Sequence, residues 1–172
     1  MTPKERMVPI RGGAVRFRVL EGGTGPDLVC FHSFHDRDGW PPLYERLAQR
    51  FTVYAPCHPG VQGSEGVEAI DDVVDLALAY DECLGALGLT SAHLLGHFFG
   101  GMAAAELASI CQGRARKVVL ISPLGLWLDG KPVAEVVILP PADLRQVLWK
   151  DPESVAARQW ATLPQTEEEN VA

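Results

Sequence analysis

The residues best placed to do chemistry lie at one turn. Leu94-Leu95-Gly96-His97-Phe98-Phe99-Gly100-Gly101 carries an apolar run through a Gly-x-x-x-Gly turn into the small-residue stretch Met102-Ala103-Ala104-Ala105. Glycines two before and two after residue 98 let the backbone reverse sharply, and small residues let the following helix lie close on a sheet. A side chain at such an apex is presented to a substrate, and acyl transfer needs an oxygen, sulfur or carboxylate there. Phe98 offers only an aromatic ring, so no acyl enzyme can form on it. Histidines and a thiol also gather at successive strand ends: His32 and His35, then Cys57 and His58, then His97. These are ligand types that zinc accepts, but their spacing matches no metal motif, and we expect neither a metal nor a cofactor. Cys57 is the best alternative nucleophile, because an imidazolium at His58 would lower its pKa; adjacent residues usually point apart, which argues against direct pairing. Ser64 reads as a loop-turning residue, Cys83 and Cys111 as small helix thiols, and His93 as a structural residue.

The elements that must hold this turn follow from periodicity. Val15, Phe17 and Val19 alternate with Arg16 and Arg18, a half-buried strand, and Gly12-Gly13 turns it back on a short Val8-Pro9-Ile10 strand. Leu28-Val29-Cys30-Phe31 is apolar on successive residues, as expected of a central strand covered on both faces. Residues from Pro41 to Arg50 read as a helix, Phe51 to Ala55 as a strand, and Ile70 to Leu87 as a long helix stopped by Gly88. Strand Ala92 to Leu95, helix Met102 to Cys111 and strand Val118 to Ile121 continue the alternation, which predicts an α/β fold with a doubly wound, mostly parallel sheet. After Pro123 the rhythm stops. An apolar run Val133 to Leu139, helices near Leu144 to Trp149 and Ser154 to Trp160, and a Thr166-x-x-Glu169 capping box suit the start of a lid. The expected division is 1–125, the N-terminal part of a core, and 126–172, the start of the lid.

In this frame the sequence resembles the α/β-hydrolase superfamily, where Gly-His-Ser-x-Gly-Gly at this place is the nucleophile elbow. Phe31-His32-Ser33-Phe34 sits where such proteins carry a His-Gly oxyanion turn, Asp38-Gly39-Trp40 opens the first helix, and His58-Pro59-Gly60-Val61-Gln62-Gly63-Ser64 is similar to the Pro-Gly-x-Gly-x-Ser loop. The resemblance covers roughly residues 8 to 125 and implies an acyl hydrolase of the carboxylic ester class. It implies oxyanion donors at the amides of Phe34 and Phe99, with Phe98 filling the space between them, and a pocket bordered by His32, Ser33, His97 and Trp127. It also implies the order nucleophile, acid, histidine along the chain. All five histidines (His32, His35, His58, His93, His97) precede residue 98. Ser33, Cys57 and Gln62 stand where Gly, Asp and Gly are usual. The last strands of the sheet, which carry acid and base in similar proteins, would lie past Ala172. The expectation is therefore an inactive relative of ester and amide hydrolases, or a pseudoenzyme that keeps a pocket for binding.

Composition bounds the partners. The 172 residues suffice for one core, 47% are apolar and 22% charged, and 15 Lys and Arg against 22 Asp and Glu give a net charge of -7. No basic face for nucleic acid or anionic lipid is implied. The partners expected are a small acyl substrate or apolar ligand, and a second copy or a complementing C-terminal segment along the apolar edge strand Val118 to Ile121. Met1 to Arg6 has no apolar run behind it, and the four cysteines form no CxxC pair, so we expect reduced thiols in the cytoplasm and no membrane anchor.

Overall fold

The structure, a computed structural model, describes residues 2–33, 39–130 and 139–162. By its contacts the chain divides into Met1–Leu126 and Trp127–Ala172.

The first unit holds a six-stranded sheet in the order β1-β2-β4-β3-β5-β6. Strands β1 (Lys4–Ile10) and β2 (Val15–Gly22) form an antiparallel hairpin, from Lys4 opposite Glu21 to Ile10 opposite Val15. Their turn, Arg11–Gly13, has all three residues at positive φ (50°, 67° and 94°), which glycine adopts without steric cost. The expected first strand began only at Val8. Pairing extends it back to Lys4 because charged side chains suit an edge strand: Glu5 accepts from Arg18 at 2.7 Å and Arg6 pairs with Glu21.

Strand β3 (Asp27–Phe31) lies between β4 (Thr52–Pro56) and β5 (Ala92–His97), parallel to both, and β6 (Ala115–Ile121) adds parallel to β5. Successive β3 residues enter opposite cores, which is why the run is unbroken in hydrophobicity. Val29 and Phe31 join the face covered by helices α2 (Val73–Ala86) and α3 (Phe99–Ile110); Leu28 and Cys30 join the face covered by α1 (Pro42–Leu47). Helix α2 starts later than its apolar periodicity suggests, because residues 67–69 take a tight turn and Asp72 caps the helix, accepting from the Asp75 amide at 2.8 Å. Helix α3 starts earlier, at Phe99 rather than Met102, since the carbonyl of Phe98 already accepts from the amides of Gly101 and Met102. The outermost strand also starts earlier, at Ala115 rather than Val118, since its pairing with β5 begins with Ala92 opposite Ala115.

In the second unit, α4 (Pro141–Leu148) and α5 (Val155–Thr162) occupy the two helical stretches expected there. Arg145 is ion-paired with Glu153 at 2.9 Å, and the Ser154 hydroxyl accepts from the Ala157 amide at the start of α5. Residues 131–138, most of the apolar run, and the Thr166 to Glu169 capping box lie outside the described residues.

Candidate functional site

The turn between β5 and α3 is built on two close approaches. A Cβ on Gly96 would stand 2.3 Å from the Gly100 carbonyl oxygen, and one on Gly100 would stand 2.2 Å from that of Phe31 and 2.4 Å from that of His32. Only glycine lets α3 press its first turn against the end of β3. At the apex Phe98 has φ 53° and ψ -112°, a conformation a non-glycine residue holds at a cost of about 1–3 kcal/mol. It is pinned there: its amide donates to Ile121 O at 3.0 Å, and its carbonyl accepts from Gly101 and Leu124 at 3.0 and 3.1 Å. The strained geometry that elsewhere exposes a nucleophile is thus present with a half-buried phenylalanine on it. Phe99 follows as the first residue of α3, where an amide points along the helix axis toward the site.

Beside the apex, the loops after β3 and β4 are locked by histidines. His32 and His58 are buried, with ring centroids 4.0 Å apart. The His58 amide donates to His32 Nε2 at 3.1 Å, so that nitrogen is bare, and His32 Nδ1 donates to the Ser33 carbonyl at 2.7 Å. His58 Nε2 in turn donates to the His32 carbonyl at 2.7 Å, and His58 Nδ1 accepts from the hydroxyl of Tyr80. Each ring therefore has one tautomer assigned by its partners. Tyr80 of α2 is wholly buried between Phe17 and Phe31 at 5.1 and 4.8 Å. Sequence reading passed over it; its place on the apolar stripe Ala77, Tyr80, Leu84 was the available signal, and that stripe marks burial only.

Of the other expected site residues, Ser33 is buried beside His32 and His97 ends β5 half-buried. Trp127 belongs to the second unit and is 69% exposed. Phe34, His35 and Asp38 lie outside the described residues. Cys57 is buried with its thiol 3.4 Å from Gln62 Oε1, and desolvation pushes that thiol up despite the opposing Arg18 charge, the reverse of activation. His58 turns to Tyr80 and His32 instead. Ser64 holds its loop, accepting from the Arg18 amide and donating to the Cys57 carbonyl, both at 2.9 Å. Gln62, where the resembled loop carries Gly, has φ 50°. Among the described residues no three His, Cys, Asp or Glu side chains converge on a common point that could hold a metal ion.

A cleft of about 280 Å³ opens next to the histidines, lined by His58, Pro59, Val67, Ile70, Leu76 and Phe99 among others. His58 and Phe99 meet edge to face at 5.0 Å in its wall.

Comparison with known proteins follows this geometry. An uncharacterized protein of Mycobacterium tuberculosis is 29% identical over 153 residues, 81% of this chain and 45% of the relative. The 2-hydroxy-6-oxo-6-phenylhexa-2,4-dienoate hydrolase of Burkholderia cepacia is 30% identical over 118 residues, 64% of this chain and 41% of that enzyme. Among solved structures, a membrane phospholipase A described as a bacterial virulence factor superposes with a TM-score of 0.72 at 25% identity, over 92% of this chain and 57% of its own. The chain thus spans about half the length of each of these three proteins. Residues 28–170 match the sequence model of the alpha/beta hydrolase family, taking in β3, the strained elbow and the glycines that build it, and to that family the chain belongs.

Proposed function

We propose that this chain is related to hydrolases of small esters, amides or other acyl substrates and, with Phe98 at its elbow, carries out no nucleophilic acyl transfer. One observation carries the reading: Phe98, not an attacking atom, occupies the strained apex at φ 53°. Removing a triad nucleophile costs about 10⁶-fold in a well-studied serine protease, roughly 8 kcal/mol of barrier. The buried histidines point the same way, because His32 and His58 spend their ring nitrogens on backbone groups and Tyr80. The names of the relatives support the substrate class, and the four unpaired thiols are in keeping with a reducing, cytoplasmic setting.

The test is labelling of the purified chain by a serine-directed fluorophosphonate, together with turnover of a nitrophenyl ester. Neither is expected, and a stoichiometric adduct would overturn the proposal. Phe98→Ser joined to the C-terminal half of a family relative should hydrolyse the ester; inactivity of that folded chimera would remove the link to acyl chemistry.

A second reading, a binding module without chemistry, is favoured by the apolar cleft that His58 and Phe99 help to wall. At about 280 Å³ it lies just below the usual ligand range. Binding of an apolar fluorophore that Ile70→Trp abolishes would support it; binding unchanged by that substitution would count against it.

A further inference from the structure

Resting on the reading of the chain as a binding module, we propose that the cleft beside His58 selects a small molecule with a hydrocarbon body and a cationic head, of the phenylalkyl ammonium type. Its walls are the loop after β4, the residues that lead into α2, the first turn of α2 and the first residue of α3; among the described residues none comes from β6 or from the second unit. These walls offer the body of a ligand little to hydrogen-bond. His58 commits Nε2 to the His32 carbonyl and Nδ1 to Tyr80, Pro59 has no N–H, and the amides of Ile70 and Leu76 donate to the carbonyls of Val67 and Asp72 at 3.1 and 2.9 Å. A polar group carried between them would lose water without replacement, so the enclosed part is hydrocarbon. A cavity of about 150 Å³ holds a benzene ring. The cleft, at about 280 Å³, therefore takes a ring with a short alkyl chain.

Charge chooses the head. Among the described residues Asp72 is the one acidic or basic side chain in the wall besides His58, and Glu68 and Asp71 stand exposed next to the wall residues Val67 and Ile70. Between Arg50 and Arg114 the sequence has no lysine or arginine. Glu65 is paired with Arg16 at 3.1 Å, and Arg11, which reaches the same stretch through the Ala69 carbonyl, is matched by Asp75 and Glu82. Glu68, Asp71 and Asp72 enter no ion pair among the described residues. The opposing field is that of the start of α2, equivalent to about half a positive charge, and Asp72 already caps it. Three carboxylates outweigh it, so a cation is drawn to this mouth, an anion is repelled and an alcohol feels neither.

Phenylbutylamine, phenylbutanol and phenylbutyrate share one skeleton and differ in the charge of the head. Calorimetric titration at neutral pH in about 10 mM salt, where charges act over about 30 Å, should give the amine at least about tenfold tighter than the carboxylate with the alcohol between, and the spread should shrink at about 1 M salt. Asp72→Asn keeps a capping oxygen for α2 and should bring the amine at least about threefold closer to the alcohol. Glu68→Gln, which touches no cap, should shift it in the same direction with the circular dichroism unchanged. Ile70→Trp should abolish binding of all three. Equal affinities in the parent, all lost in Ile70→Trp, would overturn the cationic head and leave the binding reading standing. Binding of none of the three would overturn both. A preference for the amine that neither substitution nor salt reduces would also overturn the proposal, since these carboxylates would not be its source.

Discussion

Tyr80 lies where a phenylalanine would pack equally well, between the rings of Phe17 and Phe31. What its oxygen adds is a donor for His58 Nδ1, which keeps the other ring nitrogen protonated and aimed at the His32 carbonyl. Burial pushes the phenol well above the ordinary tyrosine range, so the donor is present across the working pH range. Tyr80→Phe keeps the ring contacts and removes that donor, and should cost about 1–3 kcal/mol, read from urea unfolding at neutral pH. An unchanged unfolding midpoint would mean the histidine network contributes nothing. Desolvation acts on the thiols in the same sense: Cys83 is pushed up to about 12, and Cys30 and Cys57 are also raised. A disulfide reagent should therefore modify Cys111 first in the native protein and reach the other three only with denaturant. Rapid native labelling of Cys57 would contradict the burial of that loop.

At the scale of elements, one substitution tests how closely α3 is set on β3. Gly100→Ala puts a methyl 2.2 Å from the Phe31 carbonyl, on a central strand that cannot yield, and should destabilise by at least about 2 kcal/mol. Gly85→Ala, inside α2 with nothing within 4 Å of the new carbon, should instead stabilise by roughly 0.5–1 kcal/mol. The two signs are opposite because one glycine is demanded by a neighbour and the other only loosens a helix; equal effects in thermal unfolding would refute the close contact. This contrast also marks what could be read beforehand. The Gly-x-x-x-Gly spacing revealed the elbow, and the unbroken run Leu28 to Phe31 revealed a strand covered twice, because both are local consequences of packing. The polar start of β1 carried no apolar signal, since it is held by cross-strand ion pairs with residues 13 to 15 positions away. Nor did any spacing in the chain tell that His58 would turn from Cys57 toward Tyr80.

Over the whole molecule, acid should loosen the fold through ties that join distant parts of the chain. Arg11, in the turn after β1, grips Asp75 in the first turn of α2 at 2.7 and 3.0 Å. Its hydrogen bonds hold the Asp75 carboxyl below the usual range, helped by the Asp71 amide, and Arg18 does the same for Glu5. A carboxyl whose pKa is lower folded than unfolded stabilises the native state fully above its unfolded value, about 4, and loses that contribution as pH falls through the folded value. Glu5 is exposed and Asp75 only partly buried, so solvent screens each tie and the effect is modest in size. The net charge of -7 works in parallel: it repels copies of the chain at neutral pH and vanishes near pH 5.2, the calculated isoelectric point. Urea midpoints should thus be flat from neutral pH down to about 5 and decline below about 4. Asp75→Asn removes one titrating tie, so its midpoint should start lower at neutral pH and converge on the parent in acid. Parallel curves for the two proteins down to pH 2 would show that the Arg11 contact contributes nothing to folding.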